Sequence, residues 1–361
     1  MIYVVILYFF FVEVRCIKYE YNGKPIRVVV EYMHNIVPLL AGFTDREFFF
    51  DTEKCVASWK VGTKFVKDYF GELLAPRMPT AAPLSYGHLV SLGAPLNLYE
   101  EGEPNVRPFA SDLDEAIAIM KSKKGIDFGD NDLCRHYLRT NRRMQEEFPE
   151  YGIPPLAGYS RQGVITSAVL IRGQDFLMDL YDEPEKAQEF LFLLDDSITA
   201  FDYWTAEVNG WDPVSPYGAY VYDDFAALVP PYMWSEFVIP HWNRFYETHT
   251  TGTYRFVHCE DMHPAHLKYL KEAKITEYQP SVSDLITIED IKANLDISFD
   301  WLLYSWKVAN MTDEEIQNWV DTSLAAGADN LRTQFDAYTW KNGSMDRILA
   351  YFKAFDKYRV E

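Results

Sequence analysis

The sequence predicts an α/β protein, a (β/α)8 TIM barrel, and three observations predict it. Apolar β-like runs alternate with amphipathic helical runs along almost the whole chain, as a parallel sheet requires. About eight strand–helix units follow one another without a linker, which suits a closed ring better than an open sheet. The glycine-rich GxGxxG turn of a dinucleotide-binding sheet is missing after the first strand, and so is a Walker-type phosphate loop. The 361 residues suffice for one such barrel. Residues 22–361 read as that single domain, and residues 1–21 as a separate apolar segment.

The elements follow in order. "IRVVVEYM" (26–33) is apolar and β-branched, the pattern of a strand buried on both faces. The run from Phe43 to Gly71 places Cys55, Val56, Trp59, Val66 and Tyr69 at helical spacing, with Thr44 or Thr52 as cap. Residues 72–79 read as a second strand and 86–108, rich in Gly and Pro, as a long loop. Ser111 with Asp114 opens a helix as a capping box, and 128–148 reads as a polar helix. Residues 154–160 form the next predicted strand. A long helix then has Pro184 in its first turn and Gly210 just beyond it. "AYVYDD" ends a strand at Asp223 and Asp224. The helical run 230–250 is split or kinked by Pro240. Strands are then expected at "TYRFVHCED", "ITEYQPS", "DISFDWLLYSW" and "ADNLRTQFDAY". The helices between them begin at His263, Thr287 and Thr312, and a last helix follows. Thr312 with Glu315 is a capping box, and that helix ends at Gly327.

Composition narrows the function. Hydrophobic residues make up 48%, aromatic residues 16% and charged residues 24%, with a formal net charge of −20. Lys and Arg are scattered and never form a block, so nucleic acid is excluded as a partner, because phosphate binding needs a basic face. Cys16, Cys55, Cys134 and Cys259 form no CxxC pair and no disulfide framework, which fits a reducing, cytoplasmic setting. The start, "MIYVVILYFFFV", is uncharged for twelve residues. A spanning helix needs about 20. A signal peptide needs a positive n-region and a small-residue cleavage site, both missing here. A packed strand or helix, an interfacial anchor or an artefact of the gene start remain.

In a barrel the chemistry sits where strands end. Glu31 and His34 follow the first strand; Tyr159 and Arg161 follow the third; Asp223 and Asp224 follow the fourth. His258 and Glu260 close the fifth and Gln279 the sixth. Tyr304 follows the seventh, and Arg332 lies on the last. Side chains alternate along a strand, so Phe256, His258 and Glu260 share one face while Val257 and Cys259 share the other. His258 and Glu260 make half a zinc site, with Glu236, Asp223 or Asp224 as the nearest further acids. Bland alternatives stand beside these. A histidine near a strand end is commonly a hydrogen-bonded structural residue. Asp223 and Asp224 suit loop or cap roles, Cys259 a core position, and Arg161 and Arg332 ion pairs as well as anion binding.

With these residues in place, the chain from Asn22 to Tyr358 resembles the uroporphyrinogen decarboxylase superfamily. "NGKPIRVVV", "GVITSAVLIRGQDFLMDLYDEPEKAQEFLFLL", "YDDFAALVPPYMWSEFVIPHW" and "VHCEDMHPAHLKYLKE" carry the resemblance in order. The arginine- and glycine-rich loop that grips porphyrinogen carboxylates in the decarboxylases is replaced by "EYMHNIVPLLAG", with no arginine. His258-x-Glu260 stands where zinc methyltransferases of the group have His-x-Cys, and no cysteine follows Cys259. The resemblance therefore implies a methyltransferase that moves a methyl group from a small methoxylated or methylamine-type compound to a corrinoid carried by a partner protein. Zinc, held by Glu236, His258 and Glu260, would be the Lewis acid. Asp223 or Asp224 would protonate the leaving group, with His258 also catalytic. Glu31, His34, Tyr159, Arg161, Gln279, Tyr304 and Arg332 would line the substrate site. The alternatives are a decarboxylase, with Arg161 and Arg332 gripping carboxylate, and a non-catalytic barrel that binds a tetrapyrrole or a partner.

Overall fold

The computed structural model describes residues 17–360, and the apolar start lies outside the described residues. Ten strands lie among the described residues: β1 (Lys18–Tyr21), β2 (Lys24–Tyr32), β3 (Leu96–Asn97), β4 (Asn105–Val106), β5 (Gly218–Tyr222), β6 (Tyr254–His258), β7 (Glu277–Gln279), β8 (Ser298–Leu303), β9 (Asn330–Phe335) and β10 (Arg359–Val360). Eight of them make one mostly parallel sheet in the order β10-β1-β2-β9-β8-β7-β6-β5, and β3 and β4 form a small separate hairpin. The strands β2 and β5 to β9 run parallel, whereas β1 is antiparallel to both β2 and β10. The β1–β2 turn is Asn22-Gly23, with φ of 51° and 74°, the left-handed pair a two-residue hairpin turn demands.

The apolar patterning explains the sheet. Val28, Val29 and Val30 of β2 are all buried, as expected of a strand covered on both sides. Helices cover the outside: Trp234 and Trp242 are fully buried there and meet edge to face at 5.2 Å.

Two expected strands do not form. Residues 72–79 are irregular, and 154–160 contribute a single parallel bridge, Leu84 to Tyr159. Leu84 N–H donates to Gly158 O at 2.7 Å and Ser160 N–H to Leu84 O at 3.0 Å. The reason is proline: Pro76, Pro79, Pro83, Pro154 and Pro155 remove the donors a ladder needs. Among the described residues no ladder joins these segments to β2 or to β5. At the β5 edge Gly163 N–H reaches Tyr222 O at 2.6 Å.

Several helix boundaries also move. The expected helix 43–71 is two, Asp45–Phe50 and Thr52–Phe70, broken at Asp51. Thr44 caps the first in a capping box with Glu47, and the Asp51 carboxylate caps the second. The cap expected at Ser111 is Asp112, one residue on. The split at Pro240 is found, between Trp234–Phe237 and Ile239–His249, with the proline in the first turn of the second helix.

Candidate functional site

The register sets a row of side chains across the sheet. Tyr222 on β5 lies opposite His258 on β6, and His258 lies opposite Gln279 on β7. Strand alternation then places His258 inward, while Val257 and Cys259 are fully buried in the core behind, as the sequence pattern predicts.

A chain of hydrogen bonds runs along this row. His258 Nδ1 lies 2.7 Å from Gln279 Oε1. Gln279 Nε2 donates to Asp300 Oδ2 at 3.0 Å. Arg332 Nε donates to Asp300 Oδ1 at 3.0 Å, and Arg332 Nη1 donates to Glu31 Oε2 at 2.5 Å. Gln334 Nε2 also donates to Glu31, at 3.2 Å. Five parallel strands thus each contribute one member: Glu31, Arg332, Asp300, Gln279 and His258. Direction follows from chemistry. An ionised Asp300 only accepts, so the Gln279 amide must turn its NH2 toward it and its oxygen toward His258. His258 therefore donates from Nδ1, which leaves Nε2 to face the cavity.

Nε2 meets two carboxylates, Asp224 Oδ1 at 3.3 Å and Glu260 Oε1 at 3.9 Å. Asp224 Oδ1 accepts the Glu260 backbone N–H at 3.1 Å, and Glu260 Oε1 accepts Val282 N–H at 3.3 Å. Burial pushes the Glu260 carboxyl above its ordinary value; the His258 charge opposes this and the Asp224 charge adds to it. Three titratable groups at one spot, with Glu260 shifted by burial and by its two neighbours, is the pattern of a proton-handling site.

The cluster opens into a cavity of about 460 Å³. Eight of the residues singled out from sequence line it: Glu31, Tyr159, Arg161, Asp224, His258, Glu260, Gln279 and Arg332. Four do not. Asp223 is fully buried and accepts from Thr166 N–H at 2.7 Å, Ile165 N–H at 3.3 Å and Trp242 Nε1–H at 2.9 Å. It tethers the start of the helix Val164–Arg172 and does not face the cavity. His34 follows the end of β2, where the chain turns away, and pairs with the Glu103 carboxylate at 2.9 Å. Tyr304 Oη accepts Ser283 N–H at 2.8 Å and donates to Ser283 O at 2.7 Å, so it staples a loop. Glu236 is exposed on its short helix and does not line the cavity that holds His258 and Glu260; its backbone oxygen accepts from Gln188 Nε2 at 2.6 Å. Asp224 stands in its place, but among the described residues no group of three or more His, Cys, Asp or Glu is arranged to hold a metal ion.

Both arginines are paired. Arg332 lies between Glu31 and Asp300. Arg161 grips Asp202 with Nε at 3.0 Å and Nη2 at 2.8 Å, and His249 Nε2 is 3.2 Å from the same carboxylate. Burial would raise the Asp202 carboxyl; Arg161 and His249 overcome this and hold it well below the usual range. Each guanidinium thus already has a carboxylate partner.

Asp300, Asp202, His249 and Tyr220 complete the site and escape a search limited to strand ends, and Tyr222, the last residue of β5, joins them. Asp300 has a signal: an acid in the middle of the apolar run "SFDWLL" is tolerated only with a buried partner. Asp202 and His249 sit within helices and carry no such mark.

No protein-family profile matches this chain, and no curated protein does. Among solved structures it is similar to a methyltransferase from Methanosarcina mazei, with a TM-score of 0.63 and 14% identity over 93% of this chain and 95% of that one. At that identity the likeness establishes a shared α/β fold over essentially the whole length. No helix among the described residues is long and apolar enough to cross a membrane.

Proposed function

We propose that the chain is a barrel enzyme of the corrinoid-dependent methyltransferase type. In this proposal the six parallel strands, with the segments around Leu84 and Tyr159, form a ring. A small methylated compound, methoxylated or of the methylamine type, loses its methyl group in the cavity to a corrinoid carried by a separate protein. The observation that carries the proposal is the His258–Asp224–Glu260 cluster, aimed into the cavity and fixed from behind by Gln279 and Asp300. The likeness in fold to a protein named a methyltransferase supports it.

A cobalt(I) corrinoid supplies the nucleophile for the methyl carbon. The chain's own task is the leaving heteroatom. As the carbon–heteroatom bond breaks, the electron pair stays on the oxygen or nitrogen, which must take a proton. Glu260, whose carboxyl burial pushes above its ordinary value and which stands beside His258 Nε2, can deliver it, with Asp224 holding the geometry. Tyr220 and Tyr222 line the neighbouring wall and exclude water. His258 and Glu260, with Asp224 in the place expected of Glu236, are the donors toward which zinc would be drawn, but with Glu236 exposed outside the cavity the three expected ligands do not converge.

The test mixes the purified protein with cob(I)alamin and a panel of methoxylated aromatics and methylamines, following methylcobalamin by its visible absorbance. Methylation by wild type that falls about 10²-fold or more in His258→Ala and Asp224→Asn supports the proposal. Methylation equal to background for every donor, with folded protein, sinks it. Metal analysis of wild type and His258→Ala decides the zinc question separately. Decarboxylation has less support, because both arginines it needs are paired with carboxylates.

A further inference from the structure

The cavity does not end at the acid–imidazole cluster. It follows β5 from Gly218 to Tyr222, a run of about 13 Å at strand rise. One wall is the segment from Leu156 to Gln162, the other runs from Ser215 to Asp224, and the back is the last turns of the helix Pro184–Asn209. The reason lies in the fold. Among the described residues β5 has a ladder with β6 alone. Among the described residues, the backbone hydrogen bond that ties its other edge to the proline-bearing segment lies at the strand's end, where Gly163 N–H reaches Tyr222 O. Below that point the two segments stand apart, and the cavity fills the seam.

The far end of the seam is bordered by Asn209, Trp211, Asp212, Pro213 and Ser215, and Asp212 and Pro213 are exposed. Its rim is held in shape. Leu156 N–H donates to Asn209 Oδ1 at 2.9 Å on one side. On the other, Ser215 is bridged to Thr250, whose Oγ1 donates to Ser215 O at 2.7 Å. Between them the helix stops at Gly210, with φ of 71°, and Trp211 N–H returns to Ala206 O at 2.8 Å.

We propose that this seam is a second entrance, at the opposite end of β5 from His258, through which a small ligand enters or leaves while a macromolecular partner covers the strand-end mouth. The need for two routes rests on the methyl-transfer proposal, in which a protein-borne acceptor and a small donor must reach one spot together. The existence of the route rests on the seam alone.

Thiol labelling tests it without any catalytic activity, so its failure is separate from failure of the proposed chemistry. Cys55, Cys134 and Cys259 are buried, and Cys16→Ser removes the fourth thiol. Thr205→Cys, in the seam, and Ser160→Cys, toward the strand ends, are each treated with methyl methanethiosulfonate. Two exposed sites carry the plug, Pro213→Trp and, as an independent second, Asp212→Trp; Met33→Trp narrows the strand-end mouth. A second entrance predicts that either seam plug slows labelling at position 205 about tenfold while Met33→Trp leaves it unchanged. It also predicts that position 160 still reacts in the Met33→Trp background and loses that reaction when a seam plug is added. Loss at position 205 with Met33→Trp but with neither seam plug, or labelling that no plug alters, overturns the proposal. Thermal unfolding confirms that each plugged variant is folded.

Discussion

The ion triad at the centre of the sheet makes a quantitative prediction. In Arg332→Met the guanidinium is replaced by an apolar side chain of similar length, so little packing is lost. What remains is the pair it neutralised: Glu31, whose side chain is 5% exposed, and Asp300, at 0%. Burial opposes charge on Arg332, yet Asp300 and Glu31 together raise its pKa, so the cation is firmly held. Breaking such a pair from one side costs about 3–5 kcal/mol, against about 5–15 kcal/mol for a typical folded domain. Urea unfolding should show a midpoint lowered accordingly with an unchanged slope. The pH dependence fixes the cause. Without the cation, two buried carboxylates are left uncompensated, and protonating them removes the charge that burial penalises. The deficit is therefore smallest in acid and largest near neutrality. The variant should approach wild-type stability in acid and fall behind near neutrality. Replacing all three, Glu31→Gln with Asp300→Asn and Arg332→Met, should recover most of the loss. A deficit under about 1 kcal/mol at pH 7, or one equal at pH 4 and pH 7, would refute the triad as described.

Three further predictions follow from single contacts. A Cβ at Gly163 would stand 2.5 Å from Asp223 Cβ and 2.6 Å from Tyr222 O, so Gly163→Ala should lose about 1–3 kcal/mol or more in denaturant unfolding; a neutral result would mean that the helix start can shift freely. Asp223→Ala orphans the N–H groups of Ile165, Thr166 and Trp242 and should cost about 3 kcal/mol of stability while leaving ligand affinity of the folded protein unchanged; calorimetry on folded protein checks the second half. Infrared titration of Glu260 should give a carboxyl pKa above the ordinary value that falls in Asp224→Asn, where a like charge is removed, and rises in His258→Gln; an unmoved value in both variants contradicts the cluster.

The sequence made the parallel strands legible where burial on both faces left one pattern open: "VVV" in β2 and the inward His258 with Cys259 behind it were readable from alternation alone. It misled where backbone chemistry overrode composition. The run 72–79 is apolar enough for a strand, but its prolines and those at 154–155 forbid the ladder. For the site, strand-end position selected eight cavity residues and erred on Asp223, because consecutive acids at a strand end point to opposite sides: Asp223 goes to the helix start and Asp224 to the cavity. Glu236 failed because nearness in sequence on a short helix says nothing about reach. Asp202 and His249 stayed hidden because their partnership with Arg161 spans three elements that only the tertiary fold brings together.

The charge of the cavity bears directly on its ligand. Five carboxylates line it, Glu31, Asp202, Asp212, Asp224 and Glu260, against two guanidiniums, Arg161 and Arg332. Both guanidiniums already hold carboxylates, so an incoming anion would meet uncompensated negative charge. At an effective dielectric constant near 20, two like charges 4 Å apart repel by about 4 kcal/mol. A ligand with many carboxylates multiplies that cost, whereas a neutral ether avoids it and an ammonium reverses its sign, with the faces of Tyr220 and Tyr222 adding cation–π attraction. The expected order of affinity is therefore tetramethylammonium above anisole, and anisole above acetate, with uroporphyrin not bound at all. Competition against a fluorescent ammonium probe ranks the first three, and the absorbance of uroporphyrin with and without protein checks the last. Lowering the pH should weaken tetramethylammonium as the carboxylates take up protons. Acetate or uroporphyrin binding more tightly than the ammonium ion would show that the arginines are not committed to their carboxylates, and would return the site to carboxylate chemistry.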